Sequence, residues 1–158
     1  MHWISLILTS LLENESCDII EILEDYCKTK VFESKFENSS GFGFERIVFT
    51  YLDYLLYKNG YSYLGKEIIP PLYNEWQFQF RSSIEHFQPQ NPVEGESWEA
   101  DDLDGFGNLA LITVSGNSKF SNLPTERKIT SYPSIIEQSL KLKIMKELVN
   151  FDDEKWTE

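Results

Sequence analysis

Histidine, cysteine and cationic side chains are all scarce in this chain, and each scarcity narrows what it does. The two cysteines, Cys17 and Cys27, are no disulfide framework. They fall ten apart in a segment that reads as one helix, about 15 Å by helical rise, whereas bridged Cα atoms lie within about 7 Å. Two reduced thiols in a cytoplasmic protein is the reading. No long apolar run is present: the opening MHWISLILTSLL holds 12 residues, short of the roughly 18–20 that span a bilayer. It has no basic leader or small-residue cleavage site either, so a buried helix is expected and no membrane partner. Its start, with no cap ahead of the apolar stripe, suggests a piece of a longer protein. A phosphate-cradling glycine loop, an internal repeat and a low-complexity linker are also missing.

Cations are outnumbered, 14 Lys+Arg against 26 Asp+Glu for a net charge of −12. Such a balance ordinarily argues against nucleic acid, whose partners carry a basic face. The deficit is uneven, however. Residues 1–114 hold 7 cations and 19 acids, whereas 115–150 hold 6 cations and 3 acids, a local +3. What the chain does have is core material. At 158 residues, 41% hydrophobic and 15% aromatic, it suffices for one ordinary domain and argues against disorder.

Apolar residues recur with helical spacing in three stretches. Trp3, Ile4, Ile7, Leu8, Leu11 and Leu12 predict a helix over 2–13. Ile19 to Cys27 continue a second helix to about Phe32, with Ser16 as N-cap and Asp18 in the first turn. Phe44 to Leu56 mark a third, stopped by Asn59-Gly60. The three are expected to pack together, with 61–75 as a connector holding one short strand. From Gln77 to Phe87 the alternation of Phe78, Phe80, Ser82, Ile84 and His86 against Gln79, Arg81, Ser83 and Glu85 predicts a strand. The acidic loop 93–107 (Glu94, Glu96, Glu99, Asp101, Asp102, Asp104) reads as solvated surface. Leu109 to Val114 is a second strand, and Ser115 would cap a helix from about Gly116. A last helix covers about 134–150, and Asp152 to Trp156 open another turn. The fold class is α+β: a helical supporting region (1–76), a ββα unit (77–128) and C-terminal helices (129–158).

The ββα unit carries the chemistry. His86 is the only histidine away from the extreme N-terminus, it follows a carboxylate, and Asn108, Asn117 and Asn122 come after it. A carboxylate and a histidine at a strand end, with an asparagine returned by a strand-to-helix turn, make a one-metal hydrolytic site. Hard oxygen ligands suit Mg²⁺ or Mn²⁺, and a neutral imidazole takes the proton of an attacking water. Taken singly, His86 also fits a satisfied strand-edge histidine, Asn108 ordinary Gly-Asn turn chemistry, and Glu85 a solvated carboxylate.

The string SIEHFQPQNP (83–92), then FGNLALI (106–112), NSKFSN (117–122) and Lys128, resembles the C-terminal HNH (His-Me finger) domain of GmrSD-type modification-dependent restriction endonucleases. The resemblance is densest from Arg81 to Lys128, with looser echoes in YLDYLLY (51–57), SLKLKIM (139–145) and KW (155–156). It implies a metal-dependent endonuclease that hydrolyses DNA phosphodiesters in restriction or phage defence. His86 is then the general base, Asn108 braces the loop carrying it, and Asn117 is a metal ligand. Glu85 stands where many relatives have an aspartate that helps bind the metal; one methylene longer, it is expected to ligate Mg²⁺ or Mn²⁺ directly, to act through water or to face away. Asn122 takes a structural or phosphate-contacting position, and Arg81, Lys119 and Lys128, with Arg127 beside them, would contact DNA phosphates. Full-length relatives carry a ParB-like nucleotide-hydrolysing N-terminal domain, so such a domain or subunit is an expected partner. The competing readings are a catalytically inactive HNH-fold module that binds a protein partner, and an acidic DNA mimic.

Overall fold

The computed structural model describes residues 2–149. Three helices come first: α1 (Trp3–Glu13), α2 (Ile19–Ser34) and α3 (Arg46–Asn59). The N-cap of α2 is Asp18, not Ser16: its Oδ1 accepts from the amides of Ile20 (2.9 Å) and Glu21 (3.1 Å). Ser16 instead donates its own amide to Asn14 Oδ1 in the preceding turn. Cys17 therefore sits in that turn and only Cys27 on the helix, and both thiols are free. The end of α3 is where Asn59-Gly60 places it. Gly60 has φ +72°, and a Cβ there would stand 2.7 Å from the Ile69 carbonyl, so glycine is required twice over.

The expectation of a buried first helix fails. Neither α1 nor α2 has a buried residue, and Trp3, Ile4, Leu8 and Leu12 stay exposed, because α1 packs chiefly on α2, itself an outer helix. Among the described residues, no helix is long and apolar enough to cross a membrane. The connector holds two strands rather than one, a hairpin of β1 (Tyr61–Tyr63) and β2 (Lys66–Ile69).

The central sheet is β3 (Ser83–His86) paired antiparallel with β4 (Leu109–Ile112), in the register Ser83↔Ile112 to His86↔Leu109. The strand expected over 77–87 is thus shortened at its start. β4 is only four residues long, so Gln77 to Arg81 find no strand to pair with among the described residues; Phe80 is exposed, and Phe78 packs edge-on against Trp76 and Tyr57. Both faces of the sheet are covered. Ile84, Leu109 and Leu111 pack on Phe44 and Phe49 under α3. Ala110 and Ile112 pack with Phe87, Phe120, Ile135, Ile136, Leu142 and Met145 on the other side. A third cluster of Leu56, Ile68, Ile69, Trp76 and Leu140 joins α3 and the hairpin to the C-terminal helices.

Beyond the short α4 (Ala100–Leu103), β4 leads into α5 (Val114–Phe120), then α6 (Thr125–Ser131), α7 (Pro133–Ile136) and α8 (Leu140–Val149). Thr113 rather than Ser115 caps α5, its Oγ1 accepting from the Gly116 amide at 3.1 Å. The single helix expected over 134–150 is broken at Ser139 because α8 has caps of its own. Asp53 Oδ1 accepts from the Lys141 amide (2.8 Å) and Ser139 Oγ (3.3 Å), and Ser139 Oγ accepts from the Leu142 amide. Asn150 and the turn expected at 152–156 lie outside the described residues.

Lys141 ties α8 to the sheet. Its ammonium donates to the carbonyls of Phe106 (2.8 Å), Gly107 (3.3 Å) and Leu109 (2.7 Å). Burial pushes it from the ordinary 10.5 down to about 7, against the pull of Asp53. Between those values the unfolded chain keeps a proton that the folded one has released, so raising pH favours the fold. Lys141 is expected to add up to about 1.4 kcal/mol of stability per pH unit across that window. Urea melts from pH 7 to 10 should show this rise, and a flatter one for Lys141→Met.

Candidate active site

The chain leaving β3 is pinned from three sides. Asn108 Oδ1 accepts from the Gln88 amide at 2.7 Å, while its Nδ2 donates to the carbonyls of Gln88 (3.0 Å) and Leu103 (2.9 Å). Lys128 Nζ donates to the carbonyls of His86 (2.6 Å) and Phe87 (3.0 Å). Thr125 Oγ1 donates to the Phe87 carbonyl at 3.2 Å. Buried polar groups are satisfied here by design of the loop, and the backbone from 85 to 88 has little freedom left.

Alternation along β3 sends Glu85 and His86 to opposite faces. Glu85 lies on the α6 side, where its Oε1 meets Lys128 Nζ at 2.8 Å. Burial raises the Glu85 carboxyl and lowers the Lys128 ammonium, and their pairing opposes both shifts. His86 lies on the α3 side. Its Nε2 stands 2.8 Å from Asp104 Oδ1, and the Phe42 ring meets it edge-on at 5.0 Å between centroids and 85°. Asn117 reaches back from α5, its Nδ2 donating to Ser83 Oγ at 2.9 Å. That bond turns the amide so that its oxygen is the free end.

Where β3 ends, Glu85 from the α6 side and His86 from the α3 side both reach the lining of one cleft of about 290 Å³, which Asn117, Asn122, Phe42, Gln90 and Ser118 also line. Among the described residues, no group of three His, Cys, Asp or Glu side chains is arranged to hold a metal ion. Glu85 and Asn117 could offer side-chain oxygens to a cation beside the imidazole, and Gln90, Ser118, Ser121 and Asn122 put further oxygens on the same lining. Such a set suits Mg²⁺ or Mn²⁺, which keep open positions for water and phosphate oxygen.

Asn108 stands behind the cleft, fully buried, where it braces the histidine loop. Lys119 is exposed on α5 and Asn122 on the cleft rim. Two expected phosphate contacts are corrected. Arg81 is only 7% exposed and ion-paired with Asp53, with a further bond from its guanidinium to the Leu111 carbonyl at 3.3 Å. Lys128 is 0% exposed, and its three protons are taken by Glu85 and two carbonyls. Neither cation reaches the surface because each neutralises an internal carboxylate. Arg127 is exposed and pairs with Glu94 of the acidic loop at 3.0 Å. Sequence reasoning missed Asp104 and Phe42. Asp104 sits last in a run of six acids, and nothing in the run sets it apart.

A family model described as "GmrSD restriction endonucleases, C-terminal domain" matches residues 29–158. The chain belongs to this family. No curated protein and no solved structure matches it. The match opens within α2, so α1 and the first part of α2 precede the GmrSD C-terminal domain proper, while the whole cleft lies inside it. The motifs around His86, Asn108 and Asn117 are thus part of a restriction endonuclease domain.

Proposed function

We propose that this chain is the HNH nuclease domain of a GmrSD-type restriction system and hydrolyses DNA phosphodiester bonds with Mg²⁺ or Mn²⁺ in phage defence, in the cytoplasm. The observation that carries the reading is the convergence of Glu85, His86 and Asn117 on one cleft behind an immobilised loop. His86 takes a proton from the attacking water. The water oxygen bonds to phosphorus, the bond from phosphorus to the leaving sugar oxygen breaks, that oxygen takes a proton from solvent water, and His86 returns its proton to solvent. Asn117 Oδ1 and the second oxygen of Glu85 would hold the cation, Glu85 Oε1 being committed to Lys128. A bound divalent ion supplies charge stabilisation for the phosphate and the leaving oxygen. Lys119 and Asn122, both exposed, contact the DNA backbone. A ParB-like nucleotide-hydrolysing domain or subunit is the proposed partner.

The role of Asn117 is tested by the metal dependence of plasmid cleavage. Asn117→Ala should raise the Mg²⁺ concentration for half-maximal rate at least about tenfold, since even the groups that merely orient ligands are worth that much. An unchanged requirement removes Asn117 from the ligand set. A folded wild type that cleaves nothing at any Mg²⁺ or Mn²⁺ concentration would favour the inactive binding module.

A further inference from the structure

We infer that Asp104, held in place by the 3₁₀ turn Gly41–Gly43, fixes His86 in the tautomer that carries its proton on Nε2 and leaves Nδ1 as the base. Its catalytic meaning rests on the function proposed above; the tautomer itself does not. The distance between His86 Nε2 and Asp104 Oδ1 is 2.8 Å. A carboxylate offers only lone pairs, and a neutral imidazole has one N–H and one lone pair. The bond therefore forms when the proton is on Nε2, and the lone pair is then on Nδ1. As water gives its proton to Nδ1, the Nε2–H stays on Asp104 and the new positive charge is stabilised.

Both partners are held. The His86 main chain is paired with Leu109 and its carbonyl is taken by Lys128, while Phe42 meets the imidazole edge-on and limits its rotation. Asp104 receives the Gly41 amide on its carbonyl at 2.8 Å and donates its own amide to the Ala100 carbonyl at 2.9 Å. Gly41 has φ +54°, and a Cβ there would stand 3.1 Å from both Cγ and Oδ1 of Asp104. A side chain at this left-handed position would strain the turn and make the Asp104 carboxylate give by a few tenths of an ångström, which disturbs its placement against the ring. The connection between α2 and α3, outside the ββα unit, thus completes the histidine's setting. Asp104 and Gly41 are positioning residues: neither needs to touch DNA.

The chain has two histidines, His2 and His86, so the tautomer can be read directly. Long-range ¹H–¹⁵N spectra of [¹⁵N]histidine-labelled protein resolve protonated from unprotonated ring nitrogens. A His2→Asn background removes the second signal and keeps a capping acceptor for α1. At a pH where the ring is neutral, His86 should show Nε2 protonated and Nδ1 bare. Asp104→Ala should give a mixture of tautomers and lower kcat for plasmid cleavage by about 10–100-fold, as outer partners of a site do, with KM unchanged within about twofold. Gly41→Ala, read the same way, should shift the tautomer in the same direction. A wild type with Nδ1 protonated, or an Asp104→Ala protein with the wild-type tautomer, overturns the inference. An Asp104-dependent tautomer in a wild type that cleaves no DNA would leave the inference standing and overturn the catalytic reading instead.

Discussion

His86→Ala should slow DNA cleavage by about 10²- to 10⁴-fold, the range that a positioned general base contributes. The loss should fall on the rate rather than on DNA binding, because the proposed backbone contacts, Lys119 and Asn122, are elsewhere. The fold should survive. The ring lies at the cleft in contact with Asp104 and Phe42, and the strand is held through main-chain bonds that alanine keeps. Circular dichroism of the variant separates lost chemistry from lost structure. A fully folded His86→Ala protein that cleaves at the wild-type rate would remove His86 from the mechanism.

The largest stability effect is expected at Asp53→Ala, about 3–5 kcal/mol in urea unfolding, the usual cost of breaking a buried ion pair. Asp53 is fully buried, and one carboxylate serves three elements. It pairs with Arg81 ahead of β3 and accepts from Ser139 and from the first turn of α8. Desolvation raises its carboxyl, and the guanidinium of Arg81 pulls the other way. Without Asp53, Arg81 is a buried charge with no counter-ion, and its Nε already has no hydrogen-bond partner among the described residues. Replacing both, as Asp53→Leu with Arg81→Met, should recover much of the loss, because an apolar pair has no charge to desolvate. A single-variant cost below about 1 kcal/mol would mean that this pair is no more than a surface-grade interaction.

The parts of the fold legible in the sequence are those whose signal is local. Periodicity and Asn59-Gly60 delimit α3, a strand opens at Leu109 but ends at Ile112 rather than Val114 because Thr113 caps α5 and Val114 is its first residue, and that helix carries Asn117 on its inner side. Illegible were the features decided by distant partners. Alternation over 77–82 is sound for a strand, yet no neighbour is long enough to pair with it. Lys128 and Arg81 look like surface cations because Glu85 and Asp53, which draw them inside, are 43 and 28 residues away. At the site, His86, Asn108, Asn117 and Asn122 stand out through the resemblance to GmrSD-type domains, spacing alone being a weak signal, whereas Asp104 acquires its partner only when the acidic loop folds back on β3. Caps were misassigned by two residues at α2 and α5, where Ser16 and Ser115 compete with Asp18 and Thr113. Side-chain reach decides those contests, and composition does not record it.

The central claim is that the cleft formed by Glu85, His86 and Asn117 hydrolyses phosphodiester bonds. Its most direct test is the conversion of supercoiled plasmid in Mg²⁺ buffer by wild type, His86→Ala and Asn117→Ala proteins, each shown to be folded and assayed in parallel. Nicked or linear DNA should accumulate with the wild type and vanish when EDTA is added, and His86→Ala should be at least about 10²-fold slower. Equal cleavage by all three proteins would contradict the account.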